Sequence, residues 1–224
     1  MPLDQTGSET KAVFAHILWI GGASDAGKTT VARLLAERHR WQWYPCDFHE
    51  HNHLIARADP ERQPAIYAEF QKSVEERWIQ PTPEGLFQGV LETNDERLPM
   101  ILDDLRAMPQ RPMILVEGPR LFPKLVAPLL TSPHQAVWLM PTPEFARESA
   151  ERRDKPQGRF ETSDPERYRE NFLRRDALLA EYIRREVTES GLTLIEVDGS
   201  RSPDEVADQI DAHFAPYLAS RSGH

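Results

Sequence analysis

Eight consecutive residues constrain this chain more than any others. Gly22-Ala23-Ser24-Asp25-Ala26-Gly27-Lys28-Thr29 fits the pattern G-x-x-x-x-G-K-[ST] at every fixed position. The apolar run Phe14–Ile20, ending in Gly21-Gly22, precedes it and reads as a short strand. From Lys28 to His39 the spacing of Val31, Leu34 and Leu35 is helical. A glycine-rich turn between strand and helix lets the backbone wrap tightly, so that its amide N–H groups point inward. The helix N-terminus adds its partial positive charge, and together they cradle phosphates. The candidate nucleotide contacts are therefore Gly22, Ala23, Ser24, Asp25, Ala26, Gly27, Lys28 and Thr29, with Thr30 beside them. Lys28 is placed to bridge β- and γ-phosphates, and the Thr29 hydroxyl to join a magnesium shell. Asp25 is unexpected beside phosphates. Because the backbone does the binding here, its side chain is free to face away.

A loop of this kind needs a parallel sheet behind it, and the rest of the chain supplies one. Trp41–Tyr44, Met113–Glu117, Ala136–Met140 and Leu192–Val197 read as further strands, several of them nearly all apolar. That composition suits strands covered on both faces. Helical segments separate them. Pro60 to Met108 reads as helical, with Ile66, Phe70 and Val74 forming a buried stripe and Pro81 and Pro83 breaking the segment. Thr142-Pro143, Asp164-Pro165 and Ser202-Pro203-Asp204-Glu205 each look like an N-cap followed by proline at the first helical position. The last of these opens a helix to about Leu218. The alternation predicts an α/β chain with a parallel sheet and helices on both faces. One domain spans 1–224, with 50–110 as a helical region covering the substrate and 147–165 as a lid.

Composition narrows the function classes. The net charge is −9, so nucleic-acid binding would need a strong local basic patch. No apolar stretch approaches the roughly 18–20 residues that span a bilayer. The polar, mixed-charge start from Met1 to Lys11 matches neither a secretory signal nor a transit peptide. One cysteine, Cys46, has no internal disulfide partner. The expectation is a cytoplasmic protein, monomer or homodimer, with no nucleic-acid or membrane partner. Cys46, His49, His51 and His53 crowd together, but their spacing is not that of recognised zinc sites and there is no second cysteine. His49 and His53 read instead as facing a substrate cleft or solvent. Arg57, just beyond, reads as a candidate for an anionic acceptor.

Four features together resemble the P-loop kinases of nucleotides and small molecules. That group includes nucleoside monophosphate, shikimate, gluconate and uridine kinases and chloramphenicol phosphotransferase. The features are the loop near the N-terminus, Asp47 after the second strand, Ile114-Leu115-Val116-Glu117-Gly118 ending the third, and the arginines from Arg147 to Arg159 after the fourth. The resemblance implies a three-layer P-loop NTPase fold, with a five-stranded parallel sheet ordered 2-3-1-4-5. It implies ATP and magnesium as cofactors, and a small-molecule or nucleotide acceptor beyond the carboxyl ends of the strands. Lys28, Asp47, Arg152 and Arg153 would be catalytic. Asp47 would accept the proton of an attacking hydroxyl, or orient substrate or a magnesium-bound water if the acceptor is a phosphate. Glu117 would hold magnesium through a water, as a Walker-B carboxylate does. His49, His53, Arg57 and Arg120 would touch the acceptor. Arg152 or Arg153 would reach the transferring group from a closing lid.

Three functional readings follow. The first is phosphoryl transfer from ATP to a small-molecule hydroxyl. The second is a nucleoside monophosphate kinase, for which Arg57, Arg97, Arg106 and Arg120 are available to grip an acceptor phosphate. The third is an ATP-binding regulatory switch without an acceptor.

Overall fold

The computed structural model describes residues 11–50, 54–152 and 161–222. Five strands form one sheet in the order β2-β3-β1-β4-β5. They are β1 (Ile17–Gly22), β2 (Gln42–Pro45), β3 (Ile114–Glu117), β4 (Ala136–Pro141) and β5 (Thr193–Val197). Every pairing is parallel, so all five carboxyl ends open on one edge. This is the expected sheet and strand order. The first strand begins three residues later than its apolar run, because Phe14 to His16 form a turn. It continues through both glycines to Gly22.

Side chains alternate across a strand, and the two sheet faces divide accordingly. Leu18, Ile20, Leu115, Val137, Leu139 and Ile195 are buried under α1 (Lys28–His39) and the C-terminal helix, against Val31, Leu35, Ile210 and Phe214. Ile17, Trp19, Ile114, Val116, Trp138 and Met140 face the opposite layer, against Ile101, Leu105, Ile183 and Val187. Those partners come from two 25-residue helices.

The covering region divides into α2 (Pro64–Gln71), a π-helical turn Glu75–Ile79, and α3 (Pro83–Ala107). Thr82 caps α3, its hydroxyl accepting from Gly85 N at 3.1 Å. Of the expected stripe, Ile66 is buried, whereas Val74 falls in the break between the helices. Three longer helices follow among the described residues: α4 (Pro143–Arg152), α5 (Pro165–Glu189) and α6 (Pro203–Ser222). All three proline-flanked caps form. The Thr142 hydroxyl accepts from Phe145 N, and the Asp164 carboxylate from Arg167 N. Ser202 and Glu205 exchange side-chain and backbone bonds as a capping box. No described helix is long and apolar enough to cross a membrane.

Candidate active site

Glycine is required where β1 becomes the loop. Gly22 has φ +123°, and a Cβ there would lie 1.9 Å from the Leu139 carbonyl oxygen of β4. Ala23 N donates to that same carbonyl at 3.2 Å. The chain then turns through two left-handed residues, Asp25 (φ 63°) and Gly27 (φ 76°), before α1 begins. Left-handed backbone is rare outside glycine, asparagine and aspartate, which accounts for aspartate at position 25. The turn leaves the first amides of α1 open to the carboxyl edge of the sheet. Lys28 is buried, and its ammonium donates to Ala23 O at 2.6 Å, across the loop.

The neighbouring strands deliver carboxylates to the same edge. Pairing sets Ile20 beside Glu117 and Glu117 beside Pro45. Glu117, only 3% exposed, accepts a hydrogen bond from Thr29 Oγ1 at 3.1 Å. Burial raises its carboxyl above the ordinary glutamate value of 4.5; Asp47 adds to the rise, and Lys28 and the Thr29 hydroxyl oppose it. Asp47 stands exposed in the helical turn Cys46–His49 that follows β2. Glycine is needed once more at Gly118, where a Cβ would meet Cys46 Cβ at 2.7 Å.

Two cavities meet here. One, of about 160 Å³, lies over the loop and is lined by Lys28, Thr29, Thr30, Asp47 and Glu117 among others. The second, of about 320 Å³, extends under the covering region. Ser24, Asp47 and Pro119 line both. One face of α3 (Leu86, Gly89, Val90, Thr93, Arg97) and one face of α5 (Phe172, Arg175, Asp176, Leu179) form opposing walls of the larger cavity. Both sets follow helical periodicity. Phe70 and Trp78 contribute from the covering region. Arg175 stacks on Trp78 and Phe172, 4.8 and 4.7 Å from the ring centroids. A third cavity, of about 410 Å³, lies between α4 and α5, bordered by Ser24 and Asp25.

The structure places the sequence-derived candidates as follows. Residues from Ser24 to Thr30, together with Asp47 and Glu117, surround the smaller cavity, except Ala26, which is packed in the core. Arg120 lines the larger one. His49 stacks on Tyr44 at 3.9 Å between centroids, and Arg57 pairs with Asp104 at 2.8 Å; neither lines these two cavities. Arg152 ends α4 with its guanidinium over Phe145, at 5.9 Å, and likewise lines neither. Arg106 pairs with Asp103 on the surface. His53, Arg153, His51 and Arg159 lie outside the described residues.

Glu50 entered no reading of the sequence. It pairs with Arg97 at 2.8 Å, both side chains being largely enclosed. Its only local signal is its place three residues after Asp47. Among the described residues, the side chains at the loop able to ligate a cation carry oxygen, Thr29 Oγ1 with the carboxylates of Glu117 and Asp47. Such a set suits a hard cation such as magnesium.

No protein-family model matches the chain, and no curated protein matches it. Among solved structures, it is similar to the YorR protein from Bacillus subtilis in complex with phosphorylated GDP. There the identity is 14%, over 93% of this chain and 98% of that one, with a TM-score of 0.41. It is also similar to shikimate kinase from Acinetobacter baumannii in complex with shikimate, at 21% identity over 87% and 89% and a TM-score of 0.42. A parallel sheet in the order 2-3-1-4-5, helices on both faces, and a G-x-x-x-x-G-K-T loop joining β1 to α1 give this chain the three-layer P-loop fold expected from its sequence.

Proposed function

We propose that this protein is a phosphotransferase that moves the γ-phosphate of ATP to a hydroxyl of a small molecule. One observation carries the reading: Asp47 lines both the cavity over the phosphate loop and the cavity under the covering helices. A carboxylate at that junction can touch donor and acceptor together.

The loop amides and Lys28 bind and orient the phosphates, the lysine leaving Ala23 O to do so. Thr29 and, through a water, Glu117 would hold magnesium, which would supply charge neutralisation to the phosphates during transfer. The acceptor oxygen bonds to the γ-phosphorus as the bond to the β,γ-bridging oxygen breaks. ADP departs with that electron pair, and the hydroxyl proton passes to the Asp47 carboxylate. Arg152, at the end of α4, would swing from Phe145 to stabilise the transferring group. A second reading, transfer to a nucleoside monophosphate, draws support from the arginines of the larger cavity.

The test is ADP release from ATP and magnesium across nucleosides, nucleoside monophosphates, sugars and hydroxy acids. One compound class should stimulate it strongly. With that acceptor, Asp47→Asn should lower kcat by about 100-fold or more, with the KM for ATP little changed. Unaltered turnover in Asp47→Asn removes the base role. Tight ATP binding with no stimulation by any compound would favour a nucleotide-dependent switch.

A further inference from the structure

The larger cavity is a slot laid along α3. Its lining on that helix runs from Gly85 to Arg97, positions about 18 Å apart at the helical rise of about 1.5 Å per residue. Arg97 lies at the end where transfer would occur, since it pairs with Glu50, three residues after Asp47. Gly89 stands about 12 Å from Arg97 along the axis, and Gly85 further still, where the residue is exposed. The slot thus reaches well beyond the space that a hydroxyl needs to meet Asp47.

Charge and apolar surface divide along it. Asp47 and Pro119 line both cavities, with Arg120 next in sequence to Pro119, so these residues mark the transfer end. Other charged side chains of the lining pair with one another: Arg97 with Glu50, Arg175 with Asp176, and Glu69 with Lys72 and Arg77. Leu86 and Val90 flank Gly89 on α3, and Phe172 and Leu179 line the slot from α5. Phe172 belongs to the far end, because Asn171 beside it donates to Pro81 O just before α3 begins.

The two glycines sharpen this. Glycine inside a helix is less stable than alanine, and neither position needs it for the fold. Neither has a positive φ. A Cβ at Gly89 would meet nothing within 4 Å, and one at Gly85 would make only ordinary contacts, at 3.6 Å or more. Both residues line the cavity, so the missing methyl groups leave bare backbone and open space there. A local rule broken without benefit to the fold points to function.

We propose that the acceptor is an elongated alcohol, with its hydroxyl at Asp47 and a flat apolar body lying along α3 over Gly89 and Gly85. Burying such a body against Leu86, Val90, Phe172 and Leu179 supplies the binding, and the glycines let it lie flat. The word acceptor rests on the phosphotransferase reading; the apolar slot itself does not.

Three neutral alcohols of increasing length test it: glycerol, benzyl alcohol and 4-phenylbenzyl alcohol. Each is titrated calorimetrically into protein saturated with magnesium and a non-hydrolysable ATP analogue. The two-ring alcohol should bind at least about 10-fold more tightly than benzyl alcohol, and glycerol most weakly. Gly89→Ala should weaken the two-ring alcohol by about 10-fold while benzyl alcohol, too short to reach it, keeps its affinity. The same variant should raise the urea midpoint, because alanine favours the helix. Equal or undetectable binding of the three alcohols overturns the proposal. So does a two-ring alcohol indifferent to Gly89→Ala, or a lowered midpoint, which would give the glycine a structural role. ADP release from ATP with the same alcohols separates the two readings. Tight binding of the two-ring alcohol with no ADP release by any acceptor sinks the phosphotransferase reading and upholds the slot. Release that favours glycerol over both aromatic alcohols upholds phosphoryl transfer and overturns the slot.

Discussion

Glu117 is costly to its own fold. Its carboxyl titrates above 4.5 because burial disfavours the charge. The folded protein therefore holds that proton more tightly than the unfolded chain does. The stability it contributes is complete below 4.5 and is lost as pH rises through the raised folded value. Glu117→Gln cannot ionise and escapes this loss. The variant should keep or raise its urea midpoint at neutral pH, while activity falls roughly 10–100-fold through weaker metal holding. Urea titrations at pH 4 and pH 7 decide it. A midpoint that falls more steeply with pH in the variant than in the wild type would reverse the argument.

Among the elements, α5 ties the covering region in place. Asn171 is buried and donates to Trp78 O at 2.8 Å and to Pro81 O at 3.2 Å. Two residues before α5 begins, Ser163 N and Oγ donate to Glu75 in the π-helical turn. Asn171→Ala should cost about 1–3 kcal/mol, read as a shift in the urea midpoint. It should also raise the KM for the acceptor while leaving that for ATP nearly constant. Equal changes in both would mean that α5 steadies the whole site rather than one wall.

These ties explain what the chain discloses before folding. The loop, its flanking strand and helix, and all three proline-flanked caps depend on neighbours within a few residues, so spacing alone reveals them. The sheet order followed from the resemblance that Asp47, Glu117 and the loop carry. The larger cavity is different. Arg97 and Arg175 lie 78 positions apart on helices whose exposed and enclosed faces carry similar polar residues. Arg57 and Arg120 look alike in sequence. Yet Asp104 takes the first, while a turn after Gly118 carries the second to the cavity. Side-chain pairing across elements decides such cases, and periodicity carries no record of it.

Over the whole molecule, the two cavities carry charges of both signs. A ligand that binds the folded chain alone should therefore stabilise the fold as well as occupy it. At about 100 times its Kd, a magnesium–nucleotide complex adds about 2.7 kcal/mol. For a chain of this size that corresponds to a Tm rise of roughly 5–11 °C, readable by thermal denaturation. A rise of under about 2 °C at that saturation would mean that the nucleotide binds the unfolded chain as well, or binds elsewhere.

The enclosure of Cys46 has a further use. Its thiol sits beneath Gly118 and next to Asp47, and burial pushes its ionisation well above the ordinary range. The thiolate is the reactive form, so alkylating reagents must wait for the floor between β2 and β3 to part. Being the chain's only cysteine, it yields a single labelling rate, free of background from other thiols. That rate is an internal clock for how often the site opens, and adding nucleotide or acceptor would show which of them slows it.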